Sequence, residues 1–132
     1  MADLTYLLVS PNTAIQQAIE YIDRNAYGIV LVTDQERRLL GTVTDGDIRR
    51  GILKHISLDM PVSVLLTQPR NARYQVPTSA AVDTSVARLV ELMRKRKVNQ
   101  VPLLDHDGRV VDLVTMKELV AEAEAPVRAI II

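Results

Sequence analysis

The sequence predicts a mixed α/β (α+β) fold built from two copies of one unit. Each copy reads as an extended segment followed by helix, strand, strand and helix, and the two are expected to pack face to face as a pseudo-twofold pair. Three observations predict this. Apolar residues make up 48% of the 132 residues, ample for a globular interior. With no Phe or Trp and only four Tyr, that interior is aliphatic, and its Val and Ile content favours strands. Finally, shifting the chain by 71 residues aligns its halves without a gap from about Thr13 to Asp47, and self-similarity at a fixed period is the mark of a repeat architecture.

The register places Thr13 on Thr84, Glu20 on Glu91, Val30 on Val101, Asp34 on Asp105, Arg38 on Arg109, Val43 on Val114 and Thr44 on Thr115. In the first unit, Ile15, Ala18, Ile19 and Ile22 recur at helical spacing and predict a helix over Ala14–Asn25. Thr13 with Gln16 three residues later reads as its capping box. Ile29–Thr33 is an apolar run of strand length, Asp34–Arg37 a polar turn, and Leu39–Thr44 the returning strand of a hairpin. Asp45-Gly46-Asp47 opens a second helix through Ile48, Ile52 and Leu53 toward Ile56.

The second unit repeats this order. Val86, Leu89, Val90 and Met93 form the helical stripe, Val101–Leu104 and Val110–Thr115 the strands, and Asp105–Gly108 the turn between them. Met116–Glu124 is the closing helix, and a short helix is expected from Pro61 to Leu66 in the Pro-punctuated connection. The expected division is 1–62 for the first domain, 63–125 for the second and 126–132 for a tail. One unit of roughly 60 residues cannot readily bury both faces of its sheet, whereas two packed together can.

Several function classes are disfavoured by composition. Lys plus Arg equals Asp plus Glu at 16 each, so no net field draws the chain to nucleic acid or to an acidic membrane. No apolar run approaches the roughly 18 residues of a membrane span, and the start Met1-Ala2-Asp3-Leu4 lacks a signal peptide's pattern. A cytoplasmic location is therefore expected. There is no Cys, and the two His, His55 and His106, are far apart, so neither a thiolate nucleophile nor a metal site is expected. Without a Ser-His-Asp arrangement or a Gly-rich loop with Lys, no catalytic residue is assigned, no cofactor is required, and the segment is not expected to be an enzyme by itself.

The stretch Gly41-Thr42-Val43-Thr44-Asp45-Gly46-Asp47 resembles the motif of the CBS (cystathionine-beta-synthase) domain family: Gly, two residues, Thr or Ser, two residues, Asp. Asp112-Leu113-Val114-Thr115-Met116-Lys117-Glu118 stands in the same register, and Val98–Asp105 is similar to the family's strand entry. The resemblance runs from about Val9 to Leu119. It implies a tandem CBS pair, or Bateman module, that senses a regulatory ligand in the cleft between its repeats.

The ligand so implied is an adenosine-type nucleotide: AMP, ADP or ATP. A helix N-terminus favours an anion, and a carboxylate in the first helical turn suits ribose hydroxyls. Thr44 and Asp47 thus stand as phosphate-side and ribose-side contacts, with Arg49 and Arg50, and Lys54 one turn on, placed to meet phosphates. The plain alternative is that Thr44 and Asp47 cap a helix, worth about 1 kcal/mol, and that the cations are a solvated face. The second half-site, Thr115 with Glu118, departs from the motif twice: Asp112 stands for Gly and Glu118 for Asp. The basic run Arg94–Lys97 crosses a helix C-terminus, where the dipole suffices to explain it.

Gly41–Leu53 also resembles CBS pairs that precede bacterial sugar-nucleotidyltransferase domains, and the apolar end Ala129-Ile130-Ile131-Ile132 is similar to the first strand of such a domain. A C-terminal catalytic domain in a longer chain is the partner this implies; an edge strand or dimer contact is the alternative for the tail. A homodimer is expected as well, since CBS pairs commonly dimerise. Assembly without ligand binding is the second functional reading, motivated by the altered second motif and by Leu89, Leu92 and Met93 taken as exposed.

Overall fold

The computed structural model describes residues 3–66 and 77–121. The expected tail from Ala125 to Ile132, and the last residues of the closing helix after 121, lie outside them. Residues 3–66, with Pro77, cluster into one compact unit, and residues 78–121 into another.

In the first unit the order is β1 (Leu8–Val9), α1 (Ile15–Asn25), β2 (Ile29–Thr33), β3 (Leu39–Thr44), α2 (Asp45–Leu53) and α3 (Ser63–Leu66). In the second it is β4 (Ala80–Ala81), α4 (Val86–Arg96), β5 (Gln100–Leu104) and β6 (Val110–Thr115), followed by helical residues 116–121, here α5. Each unit carries a three-stranded sheet, ordered β1-β2-β3 in one and β4-β5-β6 in the other. The first pair of each is parallel and the second antiparallel.

The 71-residue register holds in fine detail. Val9 pairs with Val32 as Ala80 pairs with Leu103. The bulge between Val32 and Thr33 recurs between Leu103 and Leu104. Both first helices end on a left-handed residue, Ala26 and Lys97, whose backbone N–H donates to Ile22 and Met93 respectively. Both hairpins are tied by an aspartate: Asp34 Oδ1 accepts from the N–H groups of Glu36 and Arg38, and Asp105 Oδ1 from those of Asp107 and Arg109. The hydrogen bond from Arg109 N–H holds Asp105 below the ordinary carboxylate range. The left-handed turn position is Gly108 in the second hairpin, with φ +84, and Arg37 in the first, with φ +68. The first unit therefore accepts a conformation that costs a side-chain-bearing residue about 1 kcal/mol where the second uses the residue free of that cost.

Each unit has its own core. Ile15, Ala18 and Ile22 of α1 pack with Val30, Val32, Val43, Ile48, Val62 and Leu65. Leu89 and Met93 of α4 pack with Val101, Leu103 and Leu119. Leu89 is 4% exposed and Met93 fully buried, and Leu92 packs against the same core. Their expected exposure is thereby corrected: helical spacing marks an apolar face, and here that face closes the unit's own interior.

The start of α1 also differs from expectation. Its N-cap is Ala14, with no side-chain cap, while the Thr13 hydroxyl accepts from Ser10 N–H at 3.1 Å. The unpaired donors of the first turn are met from a distance in sequence: Ile15 N–H bonds the Met60 carbonyl and Gln16 N–H the Leu58 carbonyl, each at 2.9 Å. The segment around residues 58–62 thus caps α1, and Val62 N–H returns a bond to Thr13 at 2.8 Å. Its continuation α3 belongs to the first unit, with Leu65 in that unit's core. The expected boundary after residue 62 would separate α3 from β3 and α2, on which it packs.

Candidate functional site

The two motifs sit where a strand runs directly into a helix. In the first unit β3 ends at Thr44 and α2 begins at Asp45. Thr44 is the N-cap, in extended backbone, and its hydroxyl accepts from Asp47 N–H at 3.1 Å. Asp47 Oδ2 accepts in return from Thr44 N–H at 2.9 Å, completing a reciprocal capping box. Asp47 Oδ1 accepts from Arg50 Nη2 at 2.8 Å. The Asp47 side chain is only 4% exposed, so a buried carboxylate is held by a backbone donor on one oxygen and a guanidinium on the other. Both expectations for Thr44 and Asp47 bear on one structure: the pair is a cap, and it fixes a carboxylate and a helix N-terminus side by side.

Arg49 and Arg50 are both exposed on α2. The structure brings Arg50 against Asp47, with Nη2 2.8 Å from Oδ1. Lys54 is the C-cap of α2, at the opposite end of the helix from Thr44.

The second half-site is built differently. Thr115 Oγ1 accepts from Glu118 N–H at 3.1 Å, as its counterpart does. Glu118, one methylene longer, does not reach back to the Thr115 backbone; its Oε1 accepts from the Thr115 hydroxyl at 3.2 Å, in the open. Positions 120 and 121, which correspond to Arg49 and Arg50, are Val and Ala. Asp112 turns its Oδ1 to the N–H of Leu113 at 2.8 Å. The glycine it corresponds to, Gly41, has a packing role: a Cβ there would lie 2.7 Å from Leu66 Cδ2. His106 is exposed in its hairpin, and Arg94, Lys95 and Arg96 fill the last turn of α4, as the helix dipole favours.

A cavity of about 480 Å³ that motif reading did not anticipate opens beside α2, lined by Ile19, Ile22, Asp23, Ala26, Tyr27, Gly28 and Asp45. Gly28 has φ +73, and its carbonyl accepts Asp45 N–H at 3.1 Å, anchoring the first residue of α2 to the entry of β2. The Asp23 and Asp45 carboxylates on its wall disfavour phosphate and suit hydroxyl or amino groups. Gly28 immediately before an apolar strand is the sequence signal for it. Among the described residues no group of three or more His, Cys, Asp or Glu could hold a metal ion, and no helix is long and apolar enough to cross a membrane.

The family described as CBS domain matches the chain twice, at residues 3–54 and 75–125. Among curated relatives, an inosine-5'-monophosphate dehydrogenase of Aquifex aeolicus is 28% identical over 118 residues, which is 89% of this chain and 22% of that protein. An arabinose 5-phosphate isomerase, GutQ of Salmonella typhi, is 30% identical over 106 residues, 80% of this chain and 31% of the relative. The chain thus spans a third or less of the length of these relatives. Among solved structures, a CBS domain protein of Pyrobaculum aerophilum complexed with AMP superposes with a TM-score of 0.71 at 18% identity, covering 85% of this chain and 81% of that one. CBSX2 in complex with AMP gives 0.72 at 22% identity, covering 93% and 91%. At such identities the likeness establishes the fold.

Proposed function

The chain belongs to the CBS domain family as a tandem pair, and on that premise we propose that it is a regulatory module that senses an adenosine-type nucleotide. The observation that carries this reading is the capping box of α2. The capping box fixes the Asp47 carboxylate beside the first turn of α2, where it suits ribose hydroxyls and stands next to the Arg50 guanidinium, which suits phosphate. The AMP complexes of two structural neighbours support the ligand class. The second motif carries a longer, exposed acid and no arginine in the next turn, so the first half-site is the stronger. The module acts on an attached catalytic domain through its differential affinity for ligand in two states. A sugar-nucleotidyltransferase remains our proposal for that domain, on the resemblance of Gly41–Leu53 and the tail. Assembly as the sole role loses one of its motives, because Leu89 and Met93 are spent in the second core.

Calorimetric titration with AMP, ADP and ATP tests the reading. Saturable heat and a rise in melting temperature are expected, because a ligand that binds the folded state stabilises it by mass action. Absence of both at millimolar nucleotide would overturn it.

A further inference from the structure

Arg50 folds back onto the carboxylate that the proposed function gives to the ribose. Its Nη2 donates to Asp47 Oδ1 at 2.8 Å, and its guanidinium rests against the backbone of Gly46, so that a Cβ on Gly46 would come within 3.3 Å of Nη1. The side chain therefore curls back over the first turn of α2, although it is 58% exposed and has solvent to extend into. Asp47 accepts Thr44 N–H on Oδ2 and Arg50 Nη2 on Oδ1, so a ligand hydroxyl that bonds Oδ1 shares it with, or takes it from, the arginine. Gly46 in the first turn leaves room for this return; its counterpart is Lys117, and the counterpart of Arg50 is Ala121. The arrangement belongs to the first repeat alone.

We infer that Arg50 is a latch that sets selectivity for phosphorylated over unphosphorylated ligands at the first half-site. This rests on the nucleotide reading above. In the free protein the guanidinium serves as an internal substitute for the ligand on Asp47. A nucleoside must displace it and offers the freed cation nothing in return. A nucleotide displaces it as well but supplies phosphate oxygens, to which a guanidinium binds strongly and bidentately. Arg50 thus opposes the first class and favours the second, and the Asp47–Arg50 bond is exchanged for ribose–Asp47 and phosphate–Arg50 bonds.

The test is calorimetric titration of the wild-type chain and of Arg50→Gln with adenosine and with ATP at one ionic strength. Because the arginine end of the ion pair is 58% exposed, its removal should tighten adenosine binding by roughly two- to fivefold. Loss of the charged phosphate contact should weaken ATP binding by about tenfold. Arg50→Lys, which keeps the charge without the planar fork, should recover part of the ATP affinity. The opposite signs for the two ligands are diagnostic. If adenosine binding is unchanged or weaker in Arg50→Gln, or if both affinities move together, the latch is wrong while the nucleotide reading survives. If the wild-type chain binds neither ligand, the nucleotide reading fails and the latch falls with it. Urea denaturation of both variants should match the wild type to within the small effect of an ion pair whose cation is exposed; a large loss of stability would show that Arg50 serves the fold instead.

Discussion

Asp47→Ala should abolish nucleotide binding and lower the stability of the first unit by about 2 kcal/mol, the larger part from the cap. The substitution removes the acceptor for Thr44 N–H and the partner of Arg50 together, at a site where Asp47 is buried. Urea denaturation reads the stability change as a lower midpoint at constant slope, and calorimetry reads the binding. Asp47→Asn separates the two effects. Its amide oxygen still accepts from Thr44 N–H, so most of the stability returns, while the charge that holds Arg50 and attracts ribose hydroxyls is gone. Glu118→Ala should change stability far less, since Glu118 is exposed and bonds only the hydroxyl of Thr115 through its side chain. Equal effects at Asp47 and Glu118 would contradict the asymmetry assigned to the two half-sites.

Leu65→Ala should destabilise the first unit by about 3 kcal/mol, within the span seen for a buried leucine truncated to alanine. Leu65 is 5% exposed and sits in the core with Ile15, Ile48 and Val62. It also packs closely on α2, since a Cβ at Gly51 would come within 2.8 Å of Leu65 Cδ2. That approach explains a glycine in the middle of a helix, where it costs about 1 kcal/mol relative to alanine. Because α2 carries the turn we propose for the ligand, the same variant should weaken nucleotide binding through its effect on the helix. A stability change below about 1 kcal/mol would mean that α3 is not integral to the first unit.

The parts of the fold that were legible in the sequence are those governed by local chemistry. Ile29–Thr33, Leu39–Thr44 and Val110–Thr115 are strands with the limits their apolar runs and polar turns imply. Asp34 and Asp105 tie their turns as aspartate does in tight hairpins. The features that were not legible depend on partners distant in sequence. Thr13 looks like a cap, but the α1 donors are met by the carbonyls of Leu58 and Met60. Leu89 and Met93 form an apolar face whose burial depends on β5 and Leu119. Of the candidate site, the cap formed by Thr44 and Asp47 could be read from spacing, while their ligand role is what the family resemblance implies. The return of Arg50 over Gly46, the packing need for Gly41 and the cavity beside Gly28 could not, because each is set by how residues separated in sequence meet in space.

The central claim is that a nucleotide binds at the strand–helix junction of the first repeat, and amide chemical-shift mapping of the isotope-labelled chain during an ATP titration tests it most directly. The account predicts saturable shifts led by the amides of Thr44, Asp45, Gly46 and Asp47, with smaller changes at Thr115 and Glu118. Saturable shifts confined to other parts of the chain, with the Thr44–Asp47 amides unmoved, would contradict it.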